Sequence, residues 1–323
     1  MIDTDHLLNG RSASSGGDFE GSTKAHQPCV GPNDPTSDAI RKALGIGVHW
    51  LRFNETSARD GQVKGVHFLR TTARRLRTAL DLFRDLTDPA WADHLIEELK
   101  WLAHLLGEVR DLDVMKLRLE VKAREVDELE TLKPLFNVLC SRHAEASQRL
   151  VEGLRSERFE ALKADLTEAT ARVPLADGAS EPCGLVLPTL VDEAWTILRK
   201  AARALTEADP DEAYHKVRKL AKRARYAAEA VSEALEPDAA SAAKRFARRA
   251  RGVQDVLGEH QDAVVALMVI HGAAQAHPEL GSFNYAAGRL AEREFLAATS
   301  AREAFKDVWS RLDRKKLLRW LKP

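Results

Sequence analysis

The sequence predicts an all-α protein, and three observations carry that prediction. Ala, Leu, Arg and Glu recur throughout the 323 residues, while aromatics make up only 6% and β-branched runs are few, which is helix-favouring material. Apolar residues return with a 3.6-residue period from about Thr36 to Trp320. Turn signals interrupt that pattern at helical intervals. With 44% apolar residues the chain can bury a sizeable core.

Residues 1–35 are rich in Gly, Ser, Asp, Asn and Pro and carry no apolar period. They read as a disordered tail, with His6 and His26 inert within it. A first half, 36–172, reads as helices over roughly 36–57, 64–86, 90–106 and 110–127 and a long helical stretch ending near 171. "VPLADGASEPCG", residues 173–184, reads as a linker. The second half, 185–322, reads as helices over roughly 188–207, 210–235, 238–257, 260–276 and 279–320. Pro89, Pro210, Pro237 and Pro278 lie at or near helix starts, where a missing N–H costs nothing.

The two halves resemble each other. His67 is followed by Arg70, Arg74, Arg75 and Arg77, and His215 by Arg218, Lys222, Arg223 and Arg225 at identical offsets. About forty residues later the match returns: Leu106, Gly107, Glu108 and Asp111 against Leu257, Gly258, Glu259 and Asp262. Order and spacing both repeat, so the chain reads as an internal duplication.

At about 100° per residue, His67, Arg70, Arg74 and Arg77 fall in a stripe about 80° wide, opposite Leu69, Ala73, Leu76, Leu80 and Phe83. His215, Arg218, Lys222 and Arg225 form the same stripe with Tyr226 beside it. Lys100 and Arg251 stand seven residues before the matched glycines. One such stripe would be an ordinary solvated surface. Two of them, brought face to face by pseudo-symmetry, would make a self-repelling cationic channel suited to a polyanion. The balance of 49 basic and 49 acidic residues means that any such preference must come from placement, because the total supplies none.

The stretches "HFLRTTARRLRTAL" with "LGEVRDLDV", and "HKVRKLAKRARYAAE" with "LGEHQDAV", resemble the CHAD domain, the conserved histidine α-helical domain. The resemblance covers about residues 36–320. It implies two four-helix bundles about a pseudo-twofold axis, with a basic central groove or pore that binds inorganic polyphosphate. It also implies an association with polyphosphate or polyester storage granules and their surface proteins. Carried onto this chain, the binding residues are His67, Arg70, Arg74, Arg75, Arg77 and Lys100, and in the second half His215, Arg218, Lys219, Lys222, Arg223, Arg225, Tyr226 and Arg251. Arg302 and Lys306 match a basic pattern near the family's C-terminus.

Catalysis finds no apparatus in the sequence. Such domains often share a chain with a CYTH triphosphate-processing module, whose Glu-x-Glu-x-Lys signature has its nearest match in "ELETLK", 128–133, with the lysine one position late. No Gly-rich phosphate loop, G-x-S-x-G or His-Glu-x-x-His is present. A di-iron bundle would need paired Glu-x-x-His motifs. Glu212 to His215 provides one, but its counterpart begins at Lys64, a cation where a ligand is required. Gly107 and Gly258 read as helix ends, and Glu108, Asp111, Glu259 and Asp262 as acids at the next helix start or as bidentate partners of stripe arginines. His94, His104, His143 and His271 have no repeated partner and read as packing or surface residues, and Trp91, Trp101, Trp195 and Trp309 as core. We therefore expect a non-enzymatic protein without a cofactor or bound metal.

RNA is the rival ligand, since a phosphodiester chain satisfies the same cations. Stacking on bases calls for aromatics among them, and only Tyr226 is so placed. An acidic-partner scaffold is a third reading, which leaves the repeated histidines unexplained. Three scattered cysteines, Cys29, Cys140 and Cys183, suggest neither a disulfide framework nor a zinc site. With no signal-peptide h-region and no run of about eighteen apolar residues, the expectation is a cytoplasmic protein, at most granule-bound.

Overall fold

Nine α-helices carry the described chain, which the computed structural model gives for residues 29–322. They are α1 (Thr36–Arg59), α2 (Val63–Leu82), α3 (Pro89–Glu125), α4 (Lys133–Leu154) and α5 (Glu157–Ala171), then α6 (Cys183–Ala204), α7 (Asp211–Val231), α8 (Pro237–Ala276) and α9 (Gly281–Leu312). Short 3₁₀ turns follow α2, α5, α7 and α9, the last at Lys315–Leu321. No strand occurs among the described residues. The all-α expectation holds.

Local chemistry sets several boundaries. Pro89 and Pro237 occupy first turns, and the Asp88 carboxylate accepts the Trp91 backbone N–H at 2.8 Å. Ser156 caps α5 in the same way, accepting from Phe159 N–H at 3.3 Å, and so divides the long stretch expected to end near 171. The α1–α2 turn passes through Gly61 at φ 70°, the left-handed region that glycine enters without strain.

Several boundaries differ from the expectation. Gly107 and Gly258 do not end helices: α3 and α8 run straight through them for 37 and 40 residues. α6 begins at Cys183, with Pro188 inside it, because Asp34 and Pro32 carbonyls accept the Cys183 and Gly184 N–H groups at 2.9 and 2.8 Å. Residues 1–28, with His6 and His26, lie outside the described residues, but 29–35 are packed, with Val30 buried in the core. The 173–184 segment is stitched down: the Pro174 carbonyl accepts Asp88 N–H at 2.8 Å, and that of Leu86 accepts Ala176 N–H at 3.1 Å.

Two apolar clusters organise the helices, and both draw on both halves. The larger takes α1, α2, α5, α6 and α7, the first part of α3 through Val109, the first part of α8 through Leu257, and the C-terminal parts of α4 and α9. Trp195 lies within it, stacked on Trp309. The smaller joins Met115, Leu119 and Ala123 of α3 and the start of α4 to Ala266, Ile270 and Ala273 of α8 and the start of α9. Between them, residues 110–113 of α3 and 259–262 of α8 are mainly polar, and α2 and α7 pack on each other alongside. The candidate site lies at that polar layer.

Candidate polyanion site

The matched glycines are crossing points. A Cβ on Gly107 would lie 3.7 Å from an Arg70 guanidinium nitrogen, and one on Gly258 would lie 3.4 Å from Arg218 Nε. Each stripe arginine therefore lies flat across a bare patch of the long helix beside it. A Cβ would fit at van der Waals distance at both positions, so the bare backbone allows the close approach without a steric clash demanding glycine. Once across, Arg70 meets Asp111 bidentately at 2.8 and 3.3 Å. Arg218 reaches the neighbourhood of Asp262, whose carboxyl is pushed up by burial, against the pull of Arg218 and Arg118.

The two stripes converge. Arg74 of α2 feels Tyr226 and Arg218 of α7 as well as its own neighbours Arg70 and Arg77, and its pKa falls to about 10, chiefly through burial. It remains charged at neutral pH. Arg223 leaves the stripe and reaches Asp81 of α2 at 3.1 Å, tying the helices together. Tyr226 is flanked by cations, with Arg225 Cζ 4.3 Å and Lys222 Nζ 5.8 Å from its ring centre.

Several polar side-chain atoms here are left over. Nε of Arg70, Arg218 and Arg225 and Nδ1 of His215 are buried without a hydrogen-bond partner. Arg225, expected at the open face, is 6% exposed, with Glu229 3.6 Å away. His67 keeps an exposed edge on α2, yet its pKa lies below the ordinary 6.5 through burial and then the charges of Arg110, Arg70 and Arg74. His215 is lowered likewise by burial, Lys219 and Arg218, opposed by a hydrogen bond with Gln261. Arg75 and Arg77 are half-buried on α2, and Lys219 is exposed on α7. Arg251 adjoins Asp255, whose carboxyl burial also pushes up.

Other expected residues go elsewhere. Lys100 is exposed and pairs with Glu97 of its own helix. Arg302 is a tether: it donates to the Glu207 and Asp209 carbonyls at 3.2 Å, to His260 Nε2 at 3.0 Å and to Asp211, with its guanidinium 4.4 Å over Tyr214. Lys306 pairs with Glu207. Both secure the 207–211 turn. The acids read as helix starts are mid-helix ion-pair partners: Glu108 accepts from Arg149 at 3.1 Å and Glu259 from Arg118.

The sequence reading missed Arg110, which lies beside His67 and Asp111. It stands in the quoted "LGEVRDLDV", but Gln261 takes the matching place, so comparing the halves hid it. It also missed fully buried Glu294 of α9, which receives Arg118 Nε at 2.9 Å and Lys122 at 2.9 Å. Among the described residues no group of three His, Cys, Asp or Glu side chains is placed to hold a metal. No described helix is long and apolar enough to cross a membrane.

The family model for the CHAD domain matches residues 42–271, which include both stripes and both glycine crossings. The chain belongs to the CHAD family. Its fold is that of two solved structures: PptA from Streptomyces chartreusis, with TM-score 0.73 and 24% identity over 86% of this chain and 100% of that one, and the CHAD domain from the plant Ricinus communis, with TM-score 0.70 and 23% identity over 90% and 97%. Two proteins of Mycobacterium tuberculosis, the uncharacterized MT2285 (strain CDC 1551 / Oshkosh) and Rv2226 (strain ATCC 25618 / H37Rv), are each 29% identical over 308 residues. Those residues are 91% of this CHAD chain but 56% of the relatives, so the chain spans about half the length of the curated relatives it matches.

Proposed function

We propose that this CHAD chain binds inorganic polyphosphate without transforming it, in a single site shared by α2 and α7. The observation that supports the reading most is the convergence of Arg70, Arg74 and Arg77 with Arg218 and Lys222 around Tyr226. Like charges gathered in this way repel one another, and a flexible chain of phosphates supplies the opposite charge along the whole convergence. The exposed aromatic platforms that single-stranded RNA stacks on are missing among these cations, because Tyr226 is taken between Arg225 and Lys222. Attachment of the protein to polyphosphate-containing granules in the cytoplasm belongs to the same proposal.

The histidines give it a pH signature. Burial and neighbouring cations hold His67 and His215 below their ordinary value, so both are neutral at pH 7 in the unliganded protein. Bound phosphates offset those cations and raise the pKa, and a group whose pKa rises on binding takes up a proton. Affinity for long-chain polyphosphate therefore increases as pH falls from about 8 to about 6, by up to roughly tenfold for each histidine whose pKa binding raises by about one. In the double variant His67→Gln, His215→Gln, checked for folding by circular dichroism, the dependence flattens. Unchanged dependence in a folded variant removes the histidines from the linkage, and absence of polyphosphate binding at either pH removes the proposed function.

A further inference from the structure

The two halves match at the glycine crossings but differ in charge on the outer face of the long helix that precedes them. Counting back from Gly258, α8 presents Lys244, Arg245, Arg248 and Arg249; counting back equally from Gly107, α3 presents Asp93, His94, Glu97 and Glu98. The four α3 residues are matched by partners: Asp93 by Arg84 at 2.6 Å, His94 by Asp165 at 3.0 Å, Glu97 by Lys100 and Glu98 by Arg158 at 2.7 Å. The four α8 cations are all exposed, and none forms an ion pair with another described residue. In a chain of 49 bases and 49 acids, this is a local surplus confined to one half.

The surplus is continuous with the central site. On α8, Lys244, Arg248, Arg251 and Gly258 share one stripe about 80° wide, about 21 Å long from Lys244 to Gly258. Arg245 and Arg249 lie about 100° further round the helix, flanking Phe246 in sequence. The edge of Trp320 packs on Phe246, ring centres 6.1 Å apart, and brings up the 3₁₀ turn with exposed Lys315, Lys316 and Arg319. No large apolar side chain is exposed along this surface, and the turn's own Leu317, Leu318 and Trp320 pack against the core. It therefore offers neither a stacking platform for bases nor an apolar foot for a lipid bilayer.

We infer that the outer face of α8 and the Lys315–Leu321 turn form an accessory track along which a long polyphosphate leaves the central site on the second half only, the matching face of α3 offering only side chains already paired. The inference rests on the proposed function and adds direction and chain-length selectivity to it. A short chain occupies the centre alone; a long one gains the track as a tethered second contact.

The test exchanges the faces: Lys244→Asp, Arg245→His, Arg248→Glu and Arg249→Glu place the α3 residues on α8, with an all-Ala version of the same four positions as a second variant that keeps helix propensity high. Binding of tripolyphosphate and of long-chain polyphosphate is measured for both variants, for the wild type and for Arg70→Glu, Arg74→Glu. The exchange lowers long-chain affinity by at least about tenfold and flattens its log–log salt slope by about 3, at roughly 0.7 per lost contact. Tripolyphosphate affinity stays that of the wild type, and the all-Ala variant falls between. Unchanged long-chain binding in the exchange variant overturns the track and leaves the centre standing. Equal loss of both ligands also overturns it. So does binding of phosphatidylserine vesicles that the exchange abolishes while polyphosphate binding persists, since the surface is then a lipid contact. Failure of the central reading looks different: tripolyphosphate affinity survives Arg70→Glu, Arg74→Glu.

Discussion

Replacing Arg70 and Arg74 by Glu abolishes high-affinity polyphosphate binding, even though every cation of α7 remains. Arg74 stands next to Arg218 and Tyr226 across the α2–α7 contact, so the two stripes act as one polyvalent surface. Turning two attractive contacts into repulsive ones costs far more than half the affinity; a loss of about 10²-fold or more is expected when linked contacts are uncoupled. Glu at position 70 also faces Asp111, the present partner of Arg70, which adds local repulsion. Helix α2 survives, because Glu is a good helix former and both positions lie on its polar face. Titration calorimetry checks the outcome: independent sites would instead leave half the stoichiometry at full affinity.

The largest loss of stability comes from Glu294→Ala. Glu294 is wholly buried between the two apolar clusters and receives Arg118 and Lys122 of α3, while Arg118 also pairs with Glu259 of α8. Removing the carboxylate leaves two largely buried cations with one acid between them. Breaking a buried pair in this way costs about 3–5 kcal/mol, which for a domain of this size lowers the midpoint of thermal unfolding by about 6–15 °C. Differential scanning calorimetry reads this directly, and a shift of less than about 2 °C would mean that the cluster does not hold α3 to α9.

How much of this was legible in the sequence follows from how far each feature depends on distant partners. The stripe of α2 and α7 was legible because helical phase is a local property: His67, Arg70, Arg74 and Arg77 face one way whatever packs behind them. The fold class followed from the same periodicity. Gly107 and Gly258 were misread because a glycine followed by acids has the local form of a helix end. In the fold α3 and α8 run on through them, and what marks the two positions is the approach of Arg70 and Arg218, a tertiary contact that no window of sequence contains. Glu294 lies 176 positions from Arg118, on a helix face otherwise lined with apolar residues, and carries no motif. Arg302 is basic in sequence, but only the arrival of Asp211 and His260 beside it shows that its donors are already used.

The central claim is that the converging stripes recognise a chain of phosphates and not a nucleic acid. The measurement that tests it most directly is affinity for long-chain polyphosphate beside single-stranded RNA of equal charge, over a range of salt concentrations. If about six cations of the central site engage phosphate, they alone contribute a log–log slope near −4, borrowing the single-strand coefficient of about −0.7 per contact, the α8 face adds its own contacts for a long chain, and polyphosphate binds more tightly than RNA at every salt concentration. RNA binding as tight as polyphosphate at equal charge and salt would contradict the account.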